Sequence, residues 1–323
     1  IAGQFRFLRA MPRLISYMTR HRPDVVIVYG PIAGCLGGMA ARLAGVKGVV
    51  YGAGYPSYYA DRGLLRRIRN ATVERISSAC ADVVWCKSNA DVKLYHERKA
   101  SRIDKFRLAP NCVSSDLLNR FAEFAEAGSP SVDPLRMRFG LATHERVIGY
   151  VGRLVPEKGV DVLLEAFAQV AEALPNTRLL LVGDGPARDA LRRQTQALGL
   201  EQRVIFAGPQ HDVVPFYLLA DVIAIPSRYE PFGNVAVEAM EGARPVVASR
   251  VGGLADTVLD GECGRLVPPE DPEALAAALL WVLDVPQRSR ELGRNGRQRA
   301  LSEYTEARLA ERLDNFAHEA LRL

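Results

Sequence analysis

Cysteine is scarce and scattered. There are five in 323 residues (Cys35, Cys80, Cys86, Cys112 and Cys263), none in C-x-x-C spacing. That argues against a cysteine zinc site or a disulfide framework and for a reducing compartment. The five histidines (His21, His96, His144, His211 and His318) contain no i,i+3 or i,i+4 pair, so no metal-binding helix face is expected. No stretch approaches about 18 consecutive apolar residues, which argues against a transmembrane helix. Asp-x-Asp is absent, and with it the usual carboxylate clamp for a divalent metal on a nucleotide diphosphate. A Walker A ending, a complete Gly-x-Gly-x-x-Gly with its downstream acid and a Gly-x-Ser-x-Gly elbow are also absent. P-loop, dinucleotide-oxidoreductase and serine-hydrolase chemistry therefore lack their signatures.

What is present is an ordinary globular composition, 48% apolar and 24% charged, in a length that predicts two domains. The net charge of +5 hides an asymmetry: residues 1–120 carry +12 and residues 121–323 carry −7. A basic first half predicts a face for something anionic: phospholipid, nucleic acid or a phosphorylated acceptor. Plain solvated surface is the alternative. The chain opens inside a helical pattern, and Arg6 between Phe5 and Phe7 does not read as a signal-peptide core.

Short β-branched runs alternate with helical patterns throughout. In the first half, residues 24–29, 48–51, 82–86 and 105–108 read as strands, and 34–43 and 64–79 as helices. Residues 122–134, with Gly128, Pro130 and Pro134, read as a linker. In the second half, strands are expected at 147–151, 178–182, 204–206, 222–225 and 245–248. Helices are expected at 160–173, 187–198, 213–219, 234–241, 272–283 and 305–321. The fold class is α/β: two doubly wound parallel-sheet domains, 1–130 and 131–323, with the last helix returning to the first domain. Such sheets bind ligands at the carboxyl ends of their strands, so the chemistry is sought there.

Four loops follow strands. Gly152-Arg153-Leu154-Val155-Pro156-Glu157-Lys158-Gly159 opens a helix, where free N–H groups and the dipole suit a phosphate. Arg153 and Lys158 add two positive charges beside it; a turn with surface charges is the bland alternative. Glu230-Pro231-Phe232-Gly233-Asn234-Val235 leads into a helix carrying Glu238, so two carboxylates can point toward one cleft and accept hydrogen bonds from sugar hydroxyls. Taken alone, Glu238 reads equally as an exposed helix glutamate. Gly183-Asp184-Gly185-Pro186 is a weak dinucleotide signal or a turn before a helix. Gly252-Gly253 is a glycine-rich turn through which backbone can approach a ligand.

In order and spacing these segments resemble the retaining glycosyltransferases of family 4, which have the two-domain GT-B fold. The residues concerned are Val151-Gly152-Arg153, Glu157-Lys158-Gly159, 181–186, Pro226-Ser227, the Glu230-x7-Glu238 pair with Ala239-Met240, 245–248 and Gly252-Gly253. The resemblance implies transfer of a sugar from a nucleotide-diphosphate sugar, with retention and without a metal or other cofactor. UDP is favoured over GDP. Arg153 and Lys158 would hold the diphosphate and stabilise it as it leaves, acting catalytically with Glu230, and Gly152 would belong to the donor-binding set beside them. Glu230 would contact the donor sugar. Phe232, Gly233, Asn234 and Val235 would bind through backbone N–H groups, and Glu238 would hydrogen-bond the ribose.

The first half matches at residues 22–26, 40–46 and 109–111. It departs where Ala53 stands in place of the family's histidine before Gly54, and where Cys112 replaces a glycine. Two βα units, on the order of 60 residues, are expected before Ile1. The acceptor expected is a glycan, a lipid-linked molecule or a small molecule, with no nucleic-acid partner and a cytoplasmic location. Arg66, Arg67, Arg69 and Arg75 lie on one helical segment with Leu64, Leu65, Ile68, Val73 and Ile76. That segment is expected to lie on an anionic membrane surface; packing on the sheet is the alternative. A sugar-nucleotide epimerase of the same fold and a non-catalytic sugar-nucleotide-binding subunit are the rival functions.

Overall fold

A computed structural model describes residues 2–53, 63–97, 103–126 and 132–323. Two compact units emerge, residues 1–110 with 309–323, and residues 111–308. The division falls at 110/111 rather than near 130.

The first unit opens with α1 (Ala2–His21) and continues β1 (Val25–Tyr29), α2 (Pro31–Leu43), β2 (Gly48–Gly52), α3 (Leu64–Cys80), β3 (Val83–Cys86), α4 (Asn89–Glu97) and β4 (Phe106–Leu108). The four strands pair in parallel in the order β1-β2-β3-β4. Continuous apolar runs such as Val49-Val50-Tyr51 and Val83-Val84-Trp85 are buried because helices cover both faces. On one face Met18, Ala40 and Ala41 pack on Val49 and Tyr51. On the other, Phe316 and Ala320 of the returning tail pack on Val50 and Val83.

In the second unit α5 (Ser115–Glu126) and α6 (Asp133–Arg138) precede β5 (Arg146–Val151) and α7 (Val160–Ala173). Then come β6 (Thr177–Val182), α8 (Arg188–Ala197), β7 (Val204–Gly208), α9 (Val214–Leu219), β8 (Val222–Ile225) and α10 (Asn234–Glu241). The unit closes with β9 (Val246–Ser249), α11 (Leu254–Thr257), β10 (Gly264–Val267), α12 (Pro272–Asp284) and α13 (Pro286–Glu303), before α14 (Glu306–Ala320). Its six parallel strands run β10-β9-β8-β5-β6-β7. From β5 the chain winds outward through β6 and β7, then crosses back and winds the other way through β8, β9 and β10. The switch point therefore lies between β5 and β8, where the loops leaving the two strands diverge and open a crevice.

Three readings of the sequence are corrected here. Residues 122–126 are the last turn of α5, which is anchored by Leu117, Phe121 and Phe124 on the core of the second unit. Pro134 is the second residue of α6, in the first turn, where a missing N–H costs nothing. Helix α13 has no counterpart in the sequence reading because its buried positions are Leu292, Gly293, Gly296 and Ala300, three of them too small to give an apolar stripe.

Candidate functional site

The site is built where the switch point predicts. The loop leaving β5 runs from Gly152 through a 3-10 turn (Pro156–Lys158) to Gly159, which caps α7. The loop leaving β8 carries Ser227 and Glu230 and ends at Gly233, which caps α10 with φ 94. Lys158 Nζ forms an ion pair with Glu230 Oε2, joining the two loops side chain to side chain. Their side chains are 21% and 12% exposed, so the pair is largely screened from water. Ser227 Oγ donates to the same carboxylate oxygen at 3.4 Å. Arg153 is exposed on the first loop, and its carbonyl accepts the Tyr150 hydroxyl at 2.8 Å. Burial and the nearby Glu230 carboxylate push the Tyr150 phenol well up.

The remaining expected residues are distributed around this pair. Phe232 is 4% exposed and packs edge-on against Tyr304, so its side chain belongs to the core. Gly233, Asn234 and Val235 form the start of α10, an eight-residue helix whose first N–H groups have no intrahelical acceptor. Asn234 is exposed, and its Oδ1 accepts Asn111 Nδ2 at 3.2 Å. Glu238 accepts the Tyr217 hydroxyl at 2.6 Å, and burial raises its carboxyl against that hydrogen bond. Glu230 and Glu238 thus have separate partners. Tyr217 carries no signal in the sequence beyond an aromatic on a short helix.

The two glycine-rich turns do their work by close approach. At Gly183 φ is +134, and a Cβ there would fall inside the carbonyl oxygen of Gly152. The Leu154 N–H donates to the Asp184 carbonyl at 2.9 Å, so the turn after β6 supports the loop of Arg153. Residues 183–186 thus form the turn between β6 and α8, and they brace the loop of Arg153. Similarly, a Cβ on Gly252 would collide with the Glu230 carbonyl, and the Gly253 N–H donates to that oxygen at 2.9 Å.

One helical turn beyond Glu238, Glu241 is 1% exposed and neither carboxyl oxygen has a hydrogen-bond partner. Burial first, and the Glu238 charge second, push its carboxyl up to about 8. A raised carboxyl contributes stability that is fully present below the unfolded value, near about 4.5, and is lost as pH rises through about 8. Glu241→Gln is therefore expected to raise the thermal midpoint more at pH 8.5 than at pH 5.5. The difference corresponds to on the order of a few kcal/mol. An equal gain at both pH values would contradict the assignment.

In the first unit the segment expected to meet a membrane is α3. Its buried residues are Glu74, Ser77 and Ser78, with Tyr51 donating to Glu74 at 2.7 Å. Leu64, Leu65 and Ile68, at 71%, 84% and 55% exposure, stand outside with Arg66, Arg67 and Arg69. Ala53 is buried, its N–H bonded to the Trp85 carbonyl at 2.8 Å, while Gly54 lies outside the described residues. Among the described residues no three of His, Cys, Asp and Glu gather in a way that could hold a metal ion. No described helix is long and apolar enough to cross a membrane.

The family profile described as "Glycosyl transferases group 1" matches residues 132–299, and that of "Glycosyl transferase 4-like domain" matches residues 2–112. A D-inositol 3-phosphate glycosyltransferase of Corynebacterium glutamicum (strain R) is 36% identical over 194 residues, 58% of this chain and 46% of that protein. A GDP-mannose-dependent alpha-(1-6)-phosphatidylinositol monomannoside mannosyltransferase of Mycolicibacterium smegmatis is 31% identical over 299 residues, 85% of this chain and 72% of that protein. The solved sucrose-phosphate synthase of Thermosynechococcus elongatus superposes with a TM-score of 0.78 at 28% identity, covering 97% of this chain and 79% of that one. This chain spans about half the length of the inositol-phosphate relatives it matches. With both profiles matched along the chain, it belongs to the group 1 glycosyl transferases, of the GT-B type.

Proposed function

We propose that this chain moves a sugar from a nucleotide-diphosphate sugar to an acceptor hydroxyl, with retention and without a metal. The observation that carries the reading is the Lys158–Glu230 ion pair at the β5/β8 switch point, beside the N-terminus of α10. An anionic diphosphate seated there offers Lys158 a second partner, with Arg153 and the first N–H groups of α10 as further donors. Glu230, released from the ammonium, then faces the sugar. Glu238, held by Tyr217, takes the ribose. As the anomeric C–O bond breaks, its electron pair goes to the phosphate oxygen, and these cations stabilise the charge. The acceptor oxygen attacks on the same face and its proton passes to that phosphate oxygen.

Two relatives are named for inositol-phosphate and phosphatidylinositol acceptors, which supports a phosphorylated or lipid-linked acceptor here. The exposed Leu64, Leu65 and Ile68 among arginines support contact with an anionic membrane surface, on the cytoplasmic side. Co-sedimentation is expected with anionic vesicles and not with neutral ones; equal partitioning would remove the membrane from the reading. Incubation with donor labelled in the sugar tests the reaction itself. Label in a larger acceptor product supports transfer. An isomerised free sugar nucleotide would instead identify an epimerase, and unchanged donor with measurable binding a non-catalytic subunit.

A further inference from the structure

Arg228 stands two residues before Glu230 and holds three loops of the second unit. Its Nη1 and Nη2 donate to the two carboxylate oxygens of Asp161, at 2.8 and 2.7 Å, a planar fork on α7. Nη1 also donates to the Pro156 carbonyl at 2.6 Å, and Nε to Glu270 Oε1 at 2.9 Å. The Arg228 backbone N–H donates to the Glu157 carbonyl at 2.9 Å. Pro156 and Glu157 immediately precede Lys158, so one residue ties both backbones from which the Lys158–Glu230 pair hangs. The guanidinium holds the Asp161 carboxyl below the usual range. Glu270 sits at φ +57, a conformation that non-glycine residues keep only where their surroundings enforce it.

We propose that Arg228 is a positioning residue that sets Lys158 against Glu230, so that the ammonium exchanges between carboxylate and donor diphosphate while the loops stay fixed. The inference rests on the nucleotide-sugar reading of this site. A bidentate fork with two further acceptors cannot be reproduced by an ammonium, so lysine is not a conservative replacement. Nor does this arrangement resemble a surface ion pair, since the guanidinium also bonds the Pro156 carbonyl of the loop that carries Lys158. The main-chain bond to Glu157 is kept in Arg228→Lys, so the substitution tests the side chain alone.

The test is calorimetric titration with UDP and with GDP, up to millimolar, of four proteins: wild type, Arg228→Lys, Lys158→Ala and the double variant. Thermal midpoints are read alongside. Arg228→Lys is expected to weaken the nucleotide that wild type binds by about tenfold in the Lys158 background. The expected change is less than about twofold in the Lys158→Ala background, because residues acting through one another are non-additive. Asp161→Asn removes the same fork from the other side and serves if the Arg228 variant does not fold. Equal losses in both backgrounds, or wild-type affinity in Arg228→Lys, would overturn the inference and leave the function standing. Wild type binding neither nucleotide would overturn both.

Discussion

Lys158→Ala is expected to lower the rate of sugar transfer by about 10²–10³-fold, the usual cost of removing one preorganised group that stabilises developing negative charge. The leaving diphosphate loses its ammonium, and before the donor binds Glu230, only 12% exposed, is left without its cation. Lys158→Met should be equally slow, since it keeps nearly the same length without the charge. Steady-state transfer rates beside thermal midpoints check this. A loss confined to the midpoint, with the rate per folded molecule near wild type, would make the pair structural.

Gly183→Ala is expected to lower the thermal midpoint of the second unit by roughly 10 °C and to depress donor binding with it. The left-handed backbone costs of order 1–3 kcal/mol for a side chain, and the collision with the Gly152 carbonyl adds about as much again. That oxygen is backbone, so relief requires moving the loop of Arg153 itself. Gly199→Ala provides the control: φ is +68, but a Cβ there meets nothing within 4 Å. Its effect should be limited to the backbone term. Scanning calorimetry of both variants decides, and similar losses at the two positions would deny the close approach its role.

Much of this was legible beforehand because parallel strands buried on both faces leave continuous apolar runs. Ile148 to Val151, Leu179 to Val182 and Val222 to Ile225 are such runs, and the loops after them carry or brace the candidate site. Lys158 and Glu230 stood out as candidates because they lie on loops after the carboxyl ends of parallel strands, where such sheets bind ligands. Arg228 and Asp161 were not, because a surface arginine and a first-turn aspartate are each ordinary until the fold brings them together. At Gly183 and Gly252 the sequence shows that a turn is needed but not which neighbour comes close, here the carbonyls of Gly152 and Glu230. Small residues hid α13, and Gly128, Pro130 and Pro134 drew the boundary downstream of α5, whose aromatic stripe belongs to the second unit.

The most direct measurement is calorimetric titration of the wild-type chain with UDP and with GDP in excess EDTA. The account predicts saturable one-to-one binding of one nucleotide, undiminished by the chelator, because the cations that meet the diphosphate are Arg153 and Lys158. No binding of either nucleotide, or binding restored only by a divalent metal, would contradict it.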